Sequence, residues 1–216
     1  MPKNDWIRAR TAKQKEERER TILSSALHVF KNIPYEKVTL LMIANKAGIT
    51  RTNIYRYYKT REEIFLALYL FELDIWVKQI IIKFKIAQDL DTFVEIWTDI
   101  LIRNETLLKL TPLFSVSLEK NTSEELLRKS KIEIRNQMEK VLPIIMKALP
   151  GMTSDKCISF FITHQALTAG IWPMTQFSEN EKKVIESIKI QESIIDFKSF
   201  YKECIFYYLK GLLIAN

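Results

Sequence analysis

The chain has 216 residues, 47% of them hydrophobic, with a formal net charge of +7 and only four glycines and six prolines. This composition excludes low-complexity and collagen-like proteins, and no apolar run approaches the roughly 20 residues of a membrane-spanning helix. Cys157 and Cys204 have no Cys or His neighbour at metal-ligand spacing. We therefore expect core thiols in the reducing cytoplasm, and neither a metal nor a cofactor.

Basic charge is concentrated at one end of the chain. Residues 1–61 contain 14 Lys and Arg against 5 Asp and Glu, whereas residues 62–216 have a net charge of −2. Such an asymmetry is typical of a module that binds phosphates. We predict a first domain over residues 1–61, beginning with a basic arm at 1–18, and a second domain over 62–216.

The sequence of the first domain predicts three helices. Apolar residues between Ile22 and Phe30 form the stripe of a first helix. Thr39 is a good N-cap for a second, which Gly48 ends in the left-handed conformation. Thr50 caps a third helix. Two short helices joined by a tight glycine turn form a helix-turn-helix, whose second helix enters the major groove of DNA.

The stretch from Arg20 to Ile64 resembles the N-terminal domain of the tetracycline-repressor (TetR) family of transcriptional regulators. The matching positions are Ala26 and Phe30, Tyr35, Thr39, Ile43-Ala44, Ala47-Gly48, Ile54-Tyr55, Tyr57-Tyr58 and Arg61-Glu62. The resemblance implies a bacterial, dimeric repressor that binds double-stranded DNA at a pseudo-palindromic operator and has a helical C-terminal domain.

The candidate DNA-binding residues surround the third helix. Arg can pair with guanine and Asn with adenine through two hydrogen bonds each. The resemblance implies that Arg51, Thr52, Asn53 and Arg56 help to read bases. It also implies that Thr39, Tyr55, Tyr57 and Arg61 contact the phosphate backbone of DNA. Ile54 and Tyr58 are predicted to point inward. The full candidate set is Thr39, Thr50, Arg51, Thr52, Asn53, Tyr55, Arg56, Tyr57, Lys59 and Arg61.

Leu41 and Met42 depart from the family pattern, which is commonly polar at these positions and sometimes has an arginine that reads a base. An apolar pair cannot make that hydrogen bond. Three alternatives remain for this pair: it packs under the basic arm, it contacts thymine methyl groups, or the base that the arginine would read is not recognised.

The rest of the chain is predicted to be helical, with no alternating strand pattern. Ile64, Leu68, Phe71, Ile75 and Gln79 fall on one face of a long helix that begins at the Thr60–Glu63 capping box. Further boxes at 92–95, 122–125 and 178–181 predict helix starts, and Pro143 and Pro150-Gly151 predict a kink and a stop. Two more helices are predicted over 154–171 and 192–214. The predicted fold class is all-α.

An effector pocket in the C-terminal domain is implied by the resemblance. Large side chains in the middle helices could line it for a small apolar effector, or could equally fill the core of an all-α domain. His164 fits a satisfied core histidine as well as a ligand anchor. The candidate lining residues are Phe93, Trp97, Phe114, Met138, His164 and Trp172.

The resemblance also implies that the last two long helices form a four-helix bundle with those of a second copy. The apolar stripe of the final helix is wider than packing within one subunit should need, although intramolecular packing is the alternative. The predicted interface residues are Phe161, Ala166, Ala169, Gly170, Tyr201, Ile205, Tyr208, Gly211 and Leu212.

The leading hypothesis is thus a homodimeric DNA-binding repressor that a small-molecule effector releases from its operator. One alternative is a related DNA-binding protein without such an effector, controlled by a protein partner or acting architecturally. A second is an all-α enzyme or lipid carrier with a basic head. No nucleophile motif or catalytic constellation supports an enzyme.

Overall fold

Helices account for all regular secondary structure in the part of the chain that the structure, a computed structural model, describes: residues 12–188 and 195–214. This confirms the predicted all-α class. None of the described helices is long and apolar enough to cross a membrane. The ten α-helices within these residues are α1 Ala12–Asn32, α2 Leu40–Lys46, α3 Arg51–Ile54, α4 Arg61–Lys83, α5 Leu90–Arg103, α6 Glu105–Leu113, α7 Glu124–Ala148, α8 Ser154–Met174, α9 Glu179–Ser187 and α10 Phe197–Ile214.

The chain divides into two compact units. The head unit comprises the described residues up to Phe71 together with Phe114–Lys131, and the body unit comprises Glu72–Leu113 and the described residues after Lys131. A 3₁₀ turn at Tyr35–Lys37 and a π-helix at Phe114–Leu118 belong to the head unit. The boundary between residues 61 and 62 that we drew from sequence remains a prediction.

The head unit is built on α1 and the beginning of α4. Ile22 and Ala26 of α1 are fully buried, and Phe30 contacts both Tyr35 and Phe65 with ring centroids 6.5 and 5.2 Å away. Residues 1–11 of the predicted basic arm lie outside the described residues. Residues 12–18 form the first turns of α1.

Some helix starts differ from the predicted capping boxes. Helix α5 begins at Leu90 because Asp89, one turn before Thr92, accepts a hydrogen bond from the Thr92 backbone N–H at 2.8 Å. Thr122 instead donates its hydroxyl to Leu118 O, and α7 begins at Glu124. The box at Ser178 and Glu181 is present in full, with both reciprocal hydrogen bonds.

The buried faces of α4 and α10 differ from those indicated by the sequence. Phe71, which shares the predicted apolar face of α4, is 50% exposed, whereas Phe65, Leu66 and Trp76 of the same helix are buried. In α10, Tyr201 and Ile205 are fully buried within the chain itself. Packing within one chain therefore buries these two side chains, which we predicted to lie at the interface with a second copy.

An aromatic cluster forms the core of the body unit. Trp97 of α5 lies 5.0 Å from the Trp76 ring and 4.8 Å from Phe160, and the His164 ring stacks on Trp76 at 5.2 Å. The Trp97 indole N–H points to His164 Nδ1 and to the Tyr201 hydroxyl, at 3.4 and 3.3 Å. His164 and Tyr201 also share a hydrogen bond. The buried polar groups of Trp97, His164 and Tyr201 are thereby joined to one another.

Candidate nucleic-acid interface

Helix α2 starts at a side-chain cap and ends at a glycine. Thr39 Oγ1 accepts a hydrogen bond from the Met42 backbone N–H at 3.2 Å, which satisfies one of the free donors of the first turn. Ile43 and Ala44 are fully buried against the head core. Gly48 has φ +66°, the left-handed conformation that other residues adopt only with strain. The turn to α3 therefore forms as predicted.

Helix α3 is one turn long. Thr50 Oγ1 accepts from the Asn53 N–H at 3.3 Å, and α3 ends at Ile54. The backbone then tightens, because the N–H groups of Arg56 and Tyr57 bond three residues back, to Asn53 O and Ile54 O. The regular part of the predicted third helix therefore ends before Tyr55, although the chain stays coiled as far as Tyr57.

Burial separates two faces of this segment. Ile54 is fully buried and Tyr58 is 7% exposed, so the predicted inward pair is present. Thr50, Arg51, Thr52, Tyr55 and Arg56 are exposed, and Asn53 and Tyr57 are partly exposed. The polar side chains thus form a surface that a duplex can reach.

Arg51 and Tyr55 make a local pair on that surface. Arg51 Nη2 donates to the Tyr55 hydroxyl at 3.4 Å, and the guanidinium carbon lies 5.8 Å from the Tyr55 ring centre. Arg51 and Tyr55 also line an open groove of about 520 Å³ together with Thr39 and Leu41 of the preceding segment. The two helices of the motif therefore share one accessible surface.

Arg61, predicted to hold a DNA phosphate, makes contacts inside the head. Its Nη1 donates to the backbone carbonyls of Tyr35, Glu36 and Val38 at 3.0, 3.2 and 2.9 Å. Its Nε pairs with Glu62 at 2.8 Å, and its guanidinium lies over the Tyr35 ring at 4.6 Å. These contacts occupy Nη1 and Nε, so Nη2 is the guanidinium nitrogen with which Arg61 could contact a DNA phosphate.

Glu63 joins the starts of two helices. The Thr60 hydroxyl caps α4 by accepting from the Glu63 N–H at 3.1 Å, but the Glu63 carboxylate reaches Lys59 N at 2.6 Å rather than Thr60 N. Its other oxygen accepts from Ser123 N, before α7, at 3.2 Å. Burial would raise the pKa of Glu63, but these backbone N–H groups stabilise the carboxylate and the net effect lowers it.

Sequence reasoning missed the contribution of the π-helix and the turn after it. Ser117 shares a hydrogen bond with the Tyr35 hydroxyl at 3.2 Å, and Asn121 O accepts from the Thr60 hydroxyl at 3.0 Å. These residues lie more than 60 positions along the chain from their partners. A local sequence pattern contains no signal for such contacts. The nearest signal is Pro112 in the preceding helix α6, since proline ends or bends a helix.

The predicted pocket residues are divided between the two units. Phe93, Trp97 and His164 belong to the aromatic cluster of the body unit, and Trp172 contacts Phe197 at 5.2 Å. Phe114 belongs to the head unit, where it packs on Tyr69 at 4.5 Å. Met138 lies partly buried on α7. The effector pocket stays a prediction.

Sequence profiles of known families match almost the whole of this chain. The profile for bacterial regulatory proteins of the tetR family matches residues 22–68, and that for the tetracyclin repressor-like C-terminal domain matches residues 71–216. The chain belongs to the TetR family. It is accordingly a DNA-binding transcription regulator, and members of this family are transcription factors rather than enzymes.

Solved structures similar to this chain have low sequence identity to it. The fatty acid degradation regulator FadR from Bacillus halodurans is 16% identical, with a TM-score of 0.55 over 92% of this chain and 95% of that one. A protein described as a TetR-family transcriptional regulator from Syntrophomonas wolfei is 17% identical, with a TM-score of 0.49 over 93% and 97%. Curated protein sequences include no match.

Proposed function

We propose that this TetR-family chain is a homodimeric repressor that acts in the cytoplasm and reads a pseudo-palindromic operator with the segment Thr50–Arg61. The observation that carries this proposal is the division of that segment into a buried pair, Ile54 and Tyr58, and an exposed polar face. Asn53 and Arg56 have the side chains that pair with adenine and guanine edges. Lys59 is exposed and suits a phosphate.

Homodimer formation is supported by the outward faces of α8 and α10. Ile162 is 66% exposed and Tyr207 is 61% exposed, and Ile158 and Phe200 extend the same two apolar faces. Large side chains of this kind at a surface mark interaction sites when they are contiguous. Among the residues predicted from sequence, Ala166, Gly170 and Gly211 are also exposed, whereas Tyr201 and Ile205 are not.

Gly170 of α8 and Gly211 of α10 also support homodimer formation. A Cβ atom built on Gly170 or Gly211 would meet no described atom within 4 Å, so packing within the chain does not require glycine there. Glycine in a helix interior nevertheless costs about 1 kcal/mol relative to alanine. Close approach of a helix from a second copy gives a reason for that cost.

A buried indole of the body unit supports effector binding. The Trp76 indole N–H has no hydrogen-bond acceptor among the described residues, although its ring is packed between Trp97 and His164. A buried donor without a partner is costly, and a ligand acceptor would satisfy it. We propose a mainly apolar effector with one such acceptor, whose binding disfavours the operator-bound state by moving α4.

Dimerisation is tested by charge placed on the two outward faces. Ile162→Glu and Tyr207→Glu should each yield a folded monomer in sedimentation velocity, with reduced operator affinity, because a buried unpaired carboxylate is expensive. Ile82→Glu is a matched control, since Ile82 is 60% exposed and lies on α4. Variants that remain dimeric would place the interface elsewhere.

Repression and effector release need a separate experiment. The chain should lower expression of a reporter placed behind its selected operator, and a compound that raises its melting temperature should release the operator in a mobility-shift assay. Trp76→Phe keeps an aromatic side chain but replaces the indole by a smaller ring without an N–H, so it should weaken that response. Ligand-independent operator binding throughout a broad screen would favour the alternative, a regulator without a small-molecule effector.

A further inference from the structure

Leu41 is an unexpected side chain on the DNA-facing surface of the head. It is 49% exposed near the start of α2, where it lines the same open groove as Thr39, Arg51 and Tyr55. Its side chain has no polar atom with which to bind a phosphate or a polar base edge. It nevertheless lines the same groove as Arg51, which the family resemblance implies helps to read a base.

The groove that Leu41 lines also has acidic and basic side chains in its lining. Glu36 and Glu62 line the groove near Arg61, and their carboxylates repel phosphates. Arg51 and Tyr55 line the same groove as Leu41 and provide a positive charge and a hydroxyl. A duplex whose base edges contact Arg51 in this groove would therefore also bring base edges to Leu41.

Major-groove edges display one apolar group, the C5-methyl of thymine. Adenine, guanine and cytosine present polar donors and acceptors there, which a leucine would leave without water and without a partner. We propose that Leu41 is a specificity-determining residue that contacts a thymine methyl next to the base pair read by Arg51. This inference depends on the proposed operator reading, and it identifies one feature of the operator.

Met42 gives an internal control. It follows Leu41 on the same helix and is 38% exposed, but it does not line the groove shared with Arg51. Both residues lie on the surface, so alanine at either position should leave the head folded. The two variants remove similar apolar side chains from neighbouring positions with different surroundings.

The test removes a single methyl group from the DNA. Duplexes are first enriched from a random library with the full-length chain, and each thymine of the enriched site is then replaced by deoxyuracil, which lacks only the methyl. Affinity is measured by fluorescence anisotropy at one salt concentration. Burial of a methyl group predicts binding about fourfold weaker for each half-site methyl removed.

The variants assign the effect to a residue. Leu41→Ala should bind the thymine and deoxyuracil duplexes equally at that position, whereas Met42→Ala should keep the fourfold difference. The inference is overturned if no replacement weakens binding, if Leu41→Ala retains the methyl dependence, or if the dependence is lost in Met42→Ala instead. Failure to enrich any sequence would refute the proposed operator reading, and this inference with it.

Discussion

Replacing Arg61 by alanine should destabilise the head locally rather than merely remove a DNA contact. The guanidinium ties the start of α4 to the carbonyls of Tyr35, Glu36 and Val38, and its side chain is 28% exposed. Nη1 has two hydrogens, so two of the three carbonyls can be fully bonded at one time. At about 1.5 kcal/mol for each partly exposed charged bond, the expected loss in free energy of unfolding is about 3 kcal/mol.

Hydrogen–deuterium exchange followed by mass spectrometry measures this loss where it occurs. Peptides that cover residues 33–47 should exchange about 100-fold faster in Arg61→Ala, the rate equivalent of about 3 kcal/mol. Lys59→Ala removes the same charge from an exposed side chain and should change stability by less than about 0.5 kcal/mol. Arg61→Lys keeps the charge but not the planar guanidinium, so its loss of stability should lie between those of Arg61→Ala and Lys59→Ala.

Unchanged exchange in Arg61→Ala would refute this reasoning. The three carbonyls would then be equally well satisfied by water, and Arg61 would be free to serve mainly as a phosphate contact, as the family resemblance implies.

Three further outcomes follow from the same structure. Lys59→Ala should weaken binding to all DNA sequences alike and flatten the dependence of log K on log salt, as titration of affinity against salt will show. Asn53→Ala and Arg56→Ala should each cost about 1–3 kcal/mol on the selected operator and less on random DNA, which competition binding measures. Burial lowers the pKa of His164 to about 3, so stability should fall as pH drops from about 6.5 towards that value, because the unfolded chain gains a proton that the folded chain does not. His164→Gln should lose this pH dependence in urea melts, and an unchanged profile would contradict the assignment.

Local signals in the sequence predicted much of the head. Thr39, Thr50 and Gly48 act within one turn of their own positions, so their side chains and backbone angles follow from neighbouring residues. The buried pair Ile54 and Tyr58 follows equally from helical spacing. Such features depend little on distant parts of the chain.

Features that depend on competition or on distant partners were missed. Asp89 and Thr92 are both good N-caps, and the sequence pattern alone did not show that the earlier one starts α5. Helix α10 has apolar residues on two faces, so periodicity could not distinguish the core face of Ile205 from the outward face of Tyr207. The internal role of Arg61 depends on carbonyls about 25 residues earlier in the chain.

The hydrogen bonds of Glu63, Thr60 and Tyr35 to residues 117–123 have a consequence for fragments of this protein. The head unit is not a contiguous stretch of sequence, because Phe114–Lys131 completes it. A polypeptide ending at Phe71 would contain the whole helix-turn-helix but would lack the N–H of Ser123, the carbonyl of Asn121 and the hydroxyl of Ser117. Domain exchange between relatives at that point would therefore separate the DNA-reading surface from part of its own support.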